Sequence, residues 1–423
     1  MDLIIRNARL RHRAELVDIG IRKGLFAEIT PKIEVPGTKE IDARSNLVVP
    51  PFVESHVHLD SSLSAGSPRF NESGTLLEGI AIWGEYKQGI TKERIKQTAR
   101  ETILWEIANG VLHIRTHADS TEPNLVTVQA LLELKEELKD YVDIQVVAFP
   151  QDGIFSVPGS AELLLQAIKL GVDVIGGIPQ VELTREEGIR SIEYVFELAQ
   201  TYGKLIDIHT DETGDDQSRF AEVISKCVIT NGMEGLVTAS HTTAMHNYPN
   251  DYAVKLIGQL KRAEVNIVTN PGSNALLQNR LDGYPRKRGH TRVDQLLAAG
   301  VNVSIGNDNI MDPFGPLGKG SMLQSAHLLM HTAHLSGRAQ IPQVFDMITS
   351  NGARTLNLND YGIRVGNQAD CVILDAEDEF EALRLTSECL YVIRKGQIIV
   401  KTKPAVREVN LGSERIEVDF KNV

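Results

Sequence analysis

The sequence predicts an α/β fold built on a (β/α)8, TIM-like barrel, and two observations predict it. Eight short runs rich in β-branched residues recur through the middle of the chain, at 47–58, 111–119, 143–150, 173–179, 205–212, 236–241, 265–271 and 301–309, with segments of helical period between most of them. Strands that alternate with helices build parallel sheets, and eight such units suffice to close a barrel. The rival, a doubly wound sheet, needs a Gly-rich phosphate loop after its first strand. Gly176-Gly177 lies at the fourth run and has no fitting spacing.

The two ends have a different texture. Leu3-Ile4-Ile5, Val17-Asp18-Ile19-Gly20-Ile21 and Ile41-Asp42-Ala43 alternate with polar and turn residues, and the pattern returns after residue 364 in ADCVILDA, LYVIRKGQIIV and ERIEVDF. Such alternation marks half-buried strands. The predicted organisation is therefore a small β-sandwich domain made by both termini, residues 1–48 plus 365–423, beside a catalytic barrel at 49–364.

Composition narrows the function. The 423 residues carry 44 Lys+Arg against 56 Asp+Glu, a formal charge of −12. That balance argues against nucleic acid or an anionic membrane as the main partner. Arg286-Lys287-Arg288 with Arg292 reads as a solvated loop. Cys227, Cys371 and Cys389 are odd in number and far apart, which excludes a disulfide scaffold or a thiolate zinc site and fits a reducing compartment. The N-terminal segment lacks the apolar stretch of a signal peptide, and no window approaches the ~20 apolar residues of a membrane span. A cytoplasmic protein is expected.

In a barrel of this kind the chemistry sits where the strands end and the βα loops begin. Polar residues gather at those points: His56-Val57-His58 after the first run, His117 after the second, Gln151 after the third, His209 with Glu212 after the fifth, His241 after the sixth and Asp308 after the eighth. Residues i and i+2 of a strand share a face, so His56 and His58 can meet one ion, with His209 and the carboxylate of Asp308 completing a mixed site. Four unconnected buried polar residues would each need a separate hydrogen-bond partner, so a metal site is the better reading. Glu212, three residues beyond His209, is placed to take a proton from water and pass it to a substrate nitrogen. His241 reads as a ligand or as a donor behind the ligands, and His117 as an orienting or a packing residue.

The other histidines read as background. His327, His331 and His334 are spaced for one helix face but lack the acidic partner of an HExxH site. No GxSxG elbow is present, which excludes serine hydrolysis of that type.

The segments PPFVESHVHLD (51–60), SGTLLEGI (73–80), VAFPQDGI (147–154), DIHTDETGDDQSRF (207–220), TASHTTAMH (238–246), YPRKRGHTRV (284–293) and NGARTLNLNDYGI (351–363) together resemble the amidohydrolase superfamily, and within it the bacterial metal-dependent cytosine deaminases. The resemblance spans nearly the whole chain. It implies one divalent ion, Fe(II) or Zn, on His56, His58, His209 and Asp308, with Glu212 as proton shuttle, His241 polarising or positioning the attacking water, and Asp308 accepting from that water. It also implies recognition of the ring carbonyl and adjacent ring nitrogen by Gln151, helped by backbone near Leu76, an aromatic cover from Phe314, and a homo-oligomer. The implied reaction is hydrolytic release of ammonia from cytosine or a related cyclic amidine such as 5-methylcytosine, isoguanine or a creatinine-like ring.

Three departures bear on the substrate. Asn307-Asp308-Asn309 stands where the family usually has His-Asp-Asp, Phe314 where a Trp is more usual, and Gln180 where a His is expected. They place Asn309 and Phe314 among the substrate contacts and put unsubstituted cytosine in doubt. DNIMDPFGPLGKGSM (308–322), DLIIRNA (2–8) and KDYVDIQVVAF (139–149) also look like N-isopropylammelide amidohydrolases, which release an alkylamine from a triazine. The HTDE and TASHTTAMH segments favour the deaminase branch. A ring-opening cyclic-amide hydrolase is the weakest enzymatic alternative, because no lysine stands at the fourth strand end for a two-metal site.

Overall fold

The computed structural model describes residues 1–421. Eight parallel strands pair in chain order: Phe52–Val57, Val111–Asp119, Asp143–Phe149, Val174–Gly177, Leu205–Thr210, Val237–His241, Asn266–Thr269 and Val303–Ile305. They are barrel strands one to eight below. The eighth meets the first at a bridge between Val57 and Asp308. His58 N–H donates to the Asp308 carbonyl at 2.8 Å, and Asp308 N–H to the His56 carbonyl at 2.7 Å. The barrel thus closes on residues expected to ligate, and the predicted (β/α)8 fold is the observed one.

The first apolar run is not one strand. Pro50 and Pro51 offer no N–H to a ladder, so pairing breaks there. Leu47–Val49 joins the outer sheet between Leu3–Leu10 and Cys371–Leu374, and the barrel starts only at Phe52. That outer sheet combines both ends of the chain, running from Gln397–Lys401 through Cys389–Arg394, Cys371–Leu374, Leu47–Val49, Leu3–Leu10 and Val17–Arg22 to Leu25–Thr30, with Lys39–Asp42 also on Leu3–Leu10. Leu3, Ile5, Ile19, Ile21, Val48, Cys371 and Ile373 form its separate core. ERIEVDF departs from expectation: Glu414–Glu417 pairs with Glu408–Leu411 in an exposed two-stranded hairpin off that sheet. A period-2 pattern specifies a strand but not its partner.

Two further readings are corrected. Arg286, Lys287 and Arg288 are exposed as expected, but Arg292 is half-buried and donates to the carbonyls of Met245 and Tyr248 and to Asn250 Oδ1, pinning the loop after strand six. His334 lies past the end of helix Met322–Thr332 with φ 57°, so it shares no helix face with His327 and His331.

The barrel's floor supports its mouth. Arg115, fully buried, donates to Asp207 at 3.1 Å and to Gln145 and the Thr355 carbonyl. A buried guanidinium needs such partners to offset its desolvation. The helix that roofs the mouth, Leu76–Lys87, starts at Thr75, whose Oγ1 accepts from Glu78 N–H at 3.2 Å as an N-cap.

Candidate metal centre and active site

The residues expected to ligate converge. His56 Nε2 and His58 Nε2 each lie 3.5 Å from Asp308 Oδ1, and His58 Nε2 lies 3.1 Å from His209 Nε2. Four N/O ligands about 2.1 Å from one tetrahedral ion stand roughly 3.4 Å apart, so the spacing suits a single divalent ion. The site's backbone is strained where it matters: His241 (φ 69°) and Asp308 (φ 65°) both hold left-handed conformations without being glycine. Such conformations collect at functional sites and persist only when the surroundings enforce them.

Hydrogen bonding says which nitrogen of His56 is free. The Ser240 hydroxyl donates to Asp207 Oδ1 at 2.6 Å, so toward His56 its oxygen is an acceptor. His56 Nδ1, 3.0 Å away, therefore carries the proton, and Nε2 keeps a lone pair with no protein partner. A buried lone pair held this way is what a metal ligand requires. Burial pushes His56 and His209 well below the usual histidine range, so both are neutral and available. The donor set, three imidazoles and a carboxylate, fits Fe(II) or Zn. The four residues whose ligand atoms all lie within 4.8 Å of one another are His56, His209, His241 and Asp308, which form a second candidate set, while His58 groups by that measure with His56 and His117.

Glu212 sits beside this cluster and not in it. Gln278 donates to its Oε1 at 3.3 Å, and His241 Nδ1 is 3.7 Å from the same oxygen. Burial, reinforced by Asp308, raises Glu212 well above the ordinary carboxyl range. A carboxyl raised in this way is suited to passing a proton between atoms. His241, pushed down to about 3 chiefly by burial, is a neutral ring. His117 is fully buried; its ring centroid lies 4.0 Å from that of His56 at a tilt of 36°, and its Nε2 is 3.7 Å from Asp207. It lies in a second histidine group with His56 and His58.

A pocket opens onto the cluster, lined by Leu76, Ile80, Gln151, Ile178, Gln180, Val181, Leu277, Asn309 and Phe314 together with His58, His209, Glu212 and Asp308. All four residues expected to contact substrate, Gln151, Leu76, Asn309 and Phe314, are therefore on its wall. Phe314 can lie against the roofing helix because residue 79 is glycine: a Cβ there would meet the ring at 2.6 Å. Gln180 adds an amide whose two polar atoms are buried and without partners.

Several residues of this site carry no sequence signal of their own. Ser240 and Asp207 are ordinary strand residues whose role depends on register. Asn274 and Gln278, one helical turn apart in NPGSNALLQN, reach His241 and Glu212 respectively. Their i, i+4 spacing is the one clue that could have found them.

Residues 39–400 match the model of the Amidohydrolase family. The fold superposes on the crystal structure of 5-methylcytosine deaminase from Klebsiella pneumoniae liganded with 5-fluorocytosine with a TM-score of 0.94 and 43% identity, covering 97% of this chain and 100% of that one. N-isopropylammelide isopropyl amidohydrolase of Pseudomonas sp. (strain ADP) is 34% identical over 416 residues, 96% of this chain and 98% of the relative. Pterin deaminase of Rhizobium rhizogenes is 29% identical over 93% of this chain and 90% of its own length. With its family match, its barrel and a histidine–aspartate cluster suited to a divalent metal, the chain belongs to the amidohydrolase family and is a hydrolase of C–N bonds.

Proposed function

We propose that this protein is a metal-dependent deaminase of a small N-heterocycle, a cytosine-type ring and in the first instance 5-methylcytosine. The observation that carries the reading is the full-length likeness to the Klebsiella 5-methylcytosine deaminase, at 43% identity. His56, His58, His209 and Asp308 would hold the ion. When bound, it supplies Lewis acidity that makes water a nucleophile near neutral pH.

The protein's own groups account for the protons. Glu212 takes one from the water that adds to the amino-bearing carbon and delivers it to the neighbouring ring nitrogen. It then carries the second to the departing amino group, so that the water oxygen becomes the ring carbonyl and ammonia leaves. Gln151, with the backbone near Leu76, reads the carbonyl edge of the ring, Phe314 covers its face, and Asn309 borders the ring substituent. Asp308 combines a place in the ligand set with acceptance from the water. The reading also carries a homo-oligomer, a cytoplasmic location, and a division into a catalytic barrel and a β-domain made by both termini.

A second reading, release of an alkylamine from an N-substituted aminotriazine, is favoured by the 34% identity to the Pseudomonas enzyme over nearly its whole length. One assay separates the two. Protein loaded with Fe(II) or Zn is given cytosine, 5-methylcytosine, isoguanine, creatinine and N-isopropylammelide, with ammonia and isopropylamine measured separately. Ammonia from a pyrimidine is expected; isopropylamine alone would replace this reading with the second.

A further inference from the structure

We infer that Asn274 fixes His241 as the neutral imidazole protonated on Nε2, which keeps His241 out of the metal's ligand set and leaves it a single N–H to donate. The inference deepens the proposed function and rests on its metal-binding half.

The orientation of the Asn274 amide is set by its oxygen. Asn270 N–H donates to Asn274 Oδ1 at 3.2 Å, and a backbone N–H can only donate. The amide nitrogen must then be the atom that faces His241, where it lies 3.0 Å from Nδ1. An amide nitrogen accepts nothing, so Nδ1 holds the lone pair and the proton of the neutral ring is on Nε2. Asn270 Nδ2 stands 3.3 Å from the same Nδ1 and 3.5 Å from Nε2, so the shorter Asn274 contact is the one that fixes the tautomer. The opposite tautomer would need an acceptor at Nδ1. The nearest carboxylate oxygen, Glu212 Oε1, is 3.7 Å away, beyond a hydrogen bond. Asn274 is fully buried, so no solvent competes for these positions.

His56 and His241 are thus held in opposite tautomers, His56 by Ser240 and His241 chiefly by Asn274. His56 meets an acceptor at Nδ1 and presents a bare Nε2. His241 meets a donor at Nδ1 and has no bare nitrogen left: one lone pair is occupied, and the other nitrogen carries hydrogen. This decides between the two possible ligand sets, in favour of His58 over His241. It also divides the work, because a ring that can only donate stabilises an oxygen while Glu212 alone carries protons. Asn274 is a positioning residue in this scheme.

Full-length, zinc-loaded protein labelled with 15N at histidine provides the test, since two-bond 15N–1H correlations report each ring's tautomer. His241→Gln assigns the signal. The wild-type His241 ring is expected as Nε2–H, and Asn274→Asp, whose carboxylate accepts where the amide donated, is expected to switch it to Nδ1–H. A wild-type ring protonated on Nδ1, or no change in Asn274→Asp, overturns the inference. Should Asn274→Asp not fold, the wild-type spectrum decides alone. Zinc competition with a chelator gives a second measure. His241→Gln should keep its zinc, whereas weakening by more than about a hundredfold, beyond what an outer residue usually costs, would make His241 a ligand. Loss of the proposed function looks different: wild-type protein would bind no zinc or hydrolyse no heterocycle, whatever the tautomer.

Discussion

Asn309 gives its Nδ2 to Asp312 Oδ2 across 2.9 Å, immediately behind the pocket wall. Asp312 also accepts from the Ser61 hydroxyl at 2.8 Å and from the backbone N–H groups of Phe314 and Gly315, each at 2.9 Å. One buried carboxylate therefore orders the pocket amide, the loop bearing the aromatic cover, and the loop after strand one. Its hold on the amide nitrogen fixes which way Asn309 is turned at the pocket wall.

This arrangement makes Asn309→Asp costly. Burial raises Asp312 to about 7, above its usual 3.8. A carboxyl raised in the folded state stabilises fully below its unfolded pKa, and that share is lost as pH climbs through the folded value. A second carboxylate at 309 forces the pair to share one proton, which pushes the folded pKa higher still and steepens the loss. The expected destabilisation is about 2–4 kcal/mol at neutral pH. It should be larger at pH 8 than at pH 6 by denaturant unfolding. Equal stability at both values would mean that Asp312 does not hold Asn309 as described.

Ser240 offers a test of the metal centre without touching a ligand. Ser240→Ala removes the acceptor that keeps the His56 proton on Nδ1, freeing the ring to turn or change tautomer. Affinity for zinc should fall by about 10–100-fold, the usual cost of losing a partner behind a ligand. Chelator competition measures it, with circular dichroism to show that the fold survives. Unchanged affinity would mean that His56 does not depend on Ser240.

Glu212→Gln separates proton transfer from metal binding. The amide is the same size and can still meet Gln278, but it carries no proton between atoms. A fall in kcat of about 10²–10⁴ is expected with metal content retained. If metal is lost along with activity, Glu212 is a ligand and the shuttle role fails.

How much of this the sequence discloses depends on the range of the interaction. His56, His58, His209, Glu212 and Asp308 are legible because a barrel places strand ends in one ring, so linear position alone predicts convergence. The break at Pro50-Pro51 was equally open to local reasoning, since both residues lack a ladder N–H. Ser240, Asn274 and Asp312 were not legible. Each acts through the direction of particular hydrogen bonds, to partners 184 and 33 positions away for Ser240 and Asn274 and within a loop turn for Asp312 and Asn309, and composition does not encode a donor's direction. The hairpin at Glu408–Leu411 and Glu414–Glu417 shows the same limit for strands, whose pattern names a face but no neighbour.

Gln180 gives the sharpest reading of the substrate itself. It follows strand four in the turn Pro179–Val181, and both ends of its amide are buried without a partner at the pocket wall. A hydrogen bond from a ligand with a matching edge to this amide is what its position at the wall offers, and losing it costs about 1–3 kcal/mol. A lactam-like edge, one N–H beside one C=O, is the complement of a primary amide. Gln180→Leu keeps the length and removes both polar atoms. Its thermal stability should hold, because neither polar atom bonds another residue among the described residues. KM for the heterocycle should rise about 5–150-fold, the same 1–3 kcal/mol read as binding, with kcat little changed. Gln180→Glu retains the acceptor without the donor and should fall between the two. If KM is unmoved in Gln180→Leu, the amide meets only water, and recognition of the ring rests on Gln151 and Asn309.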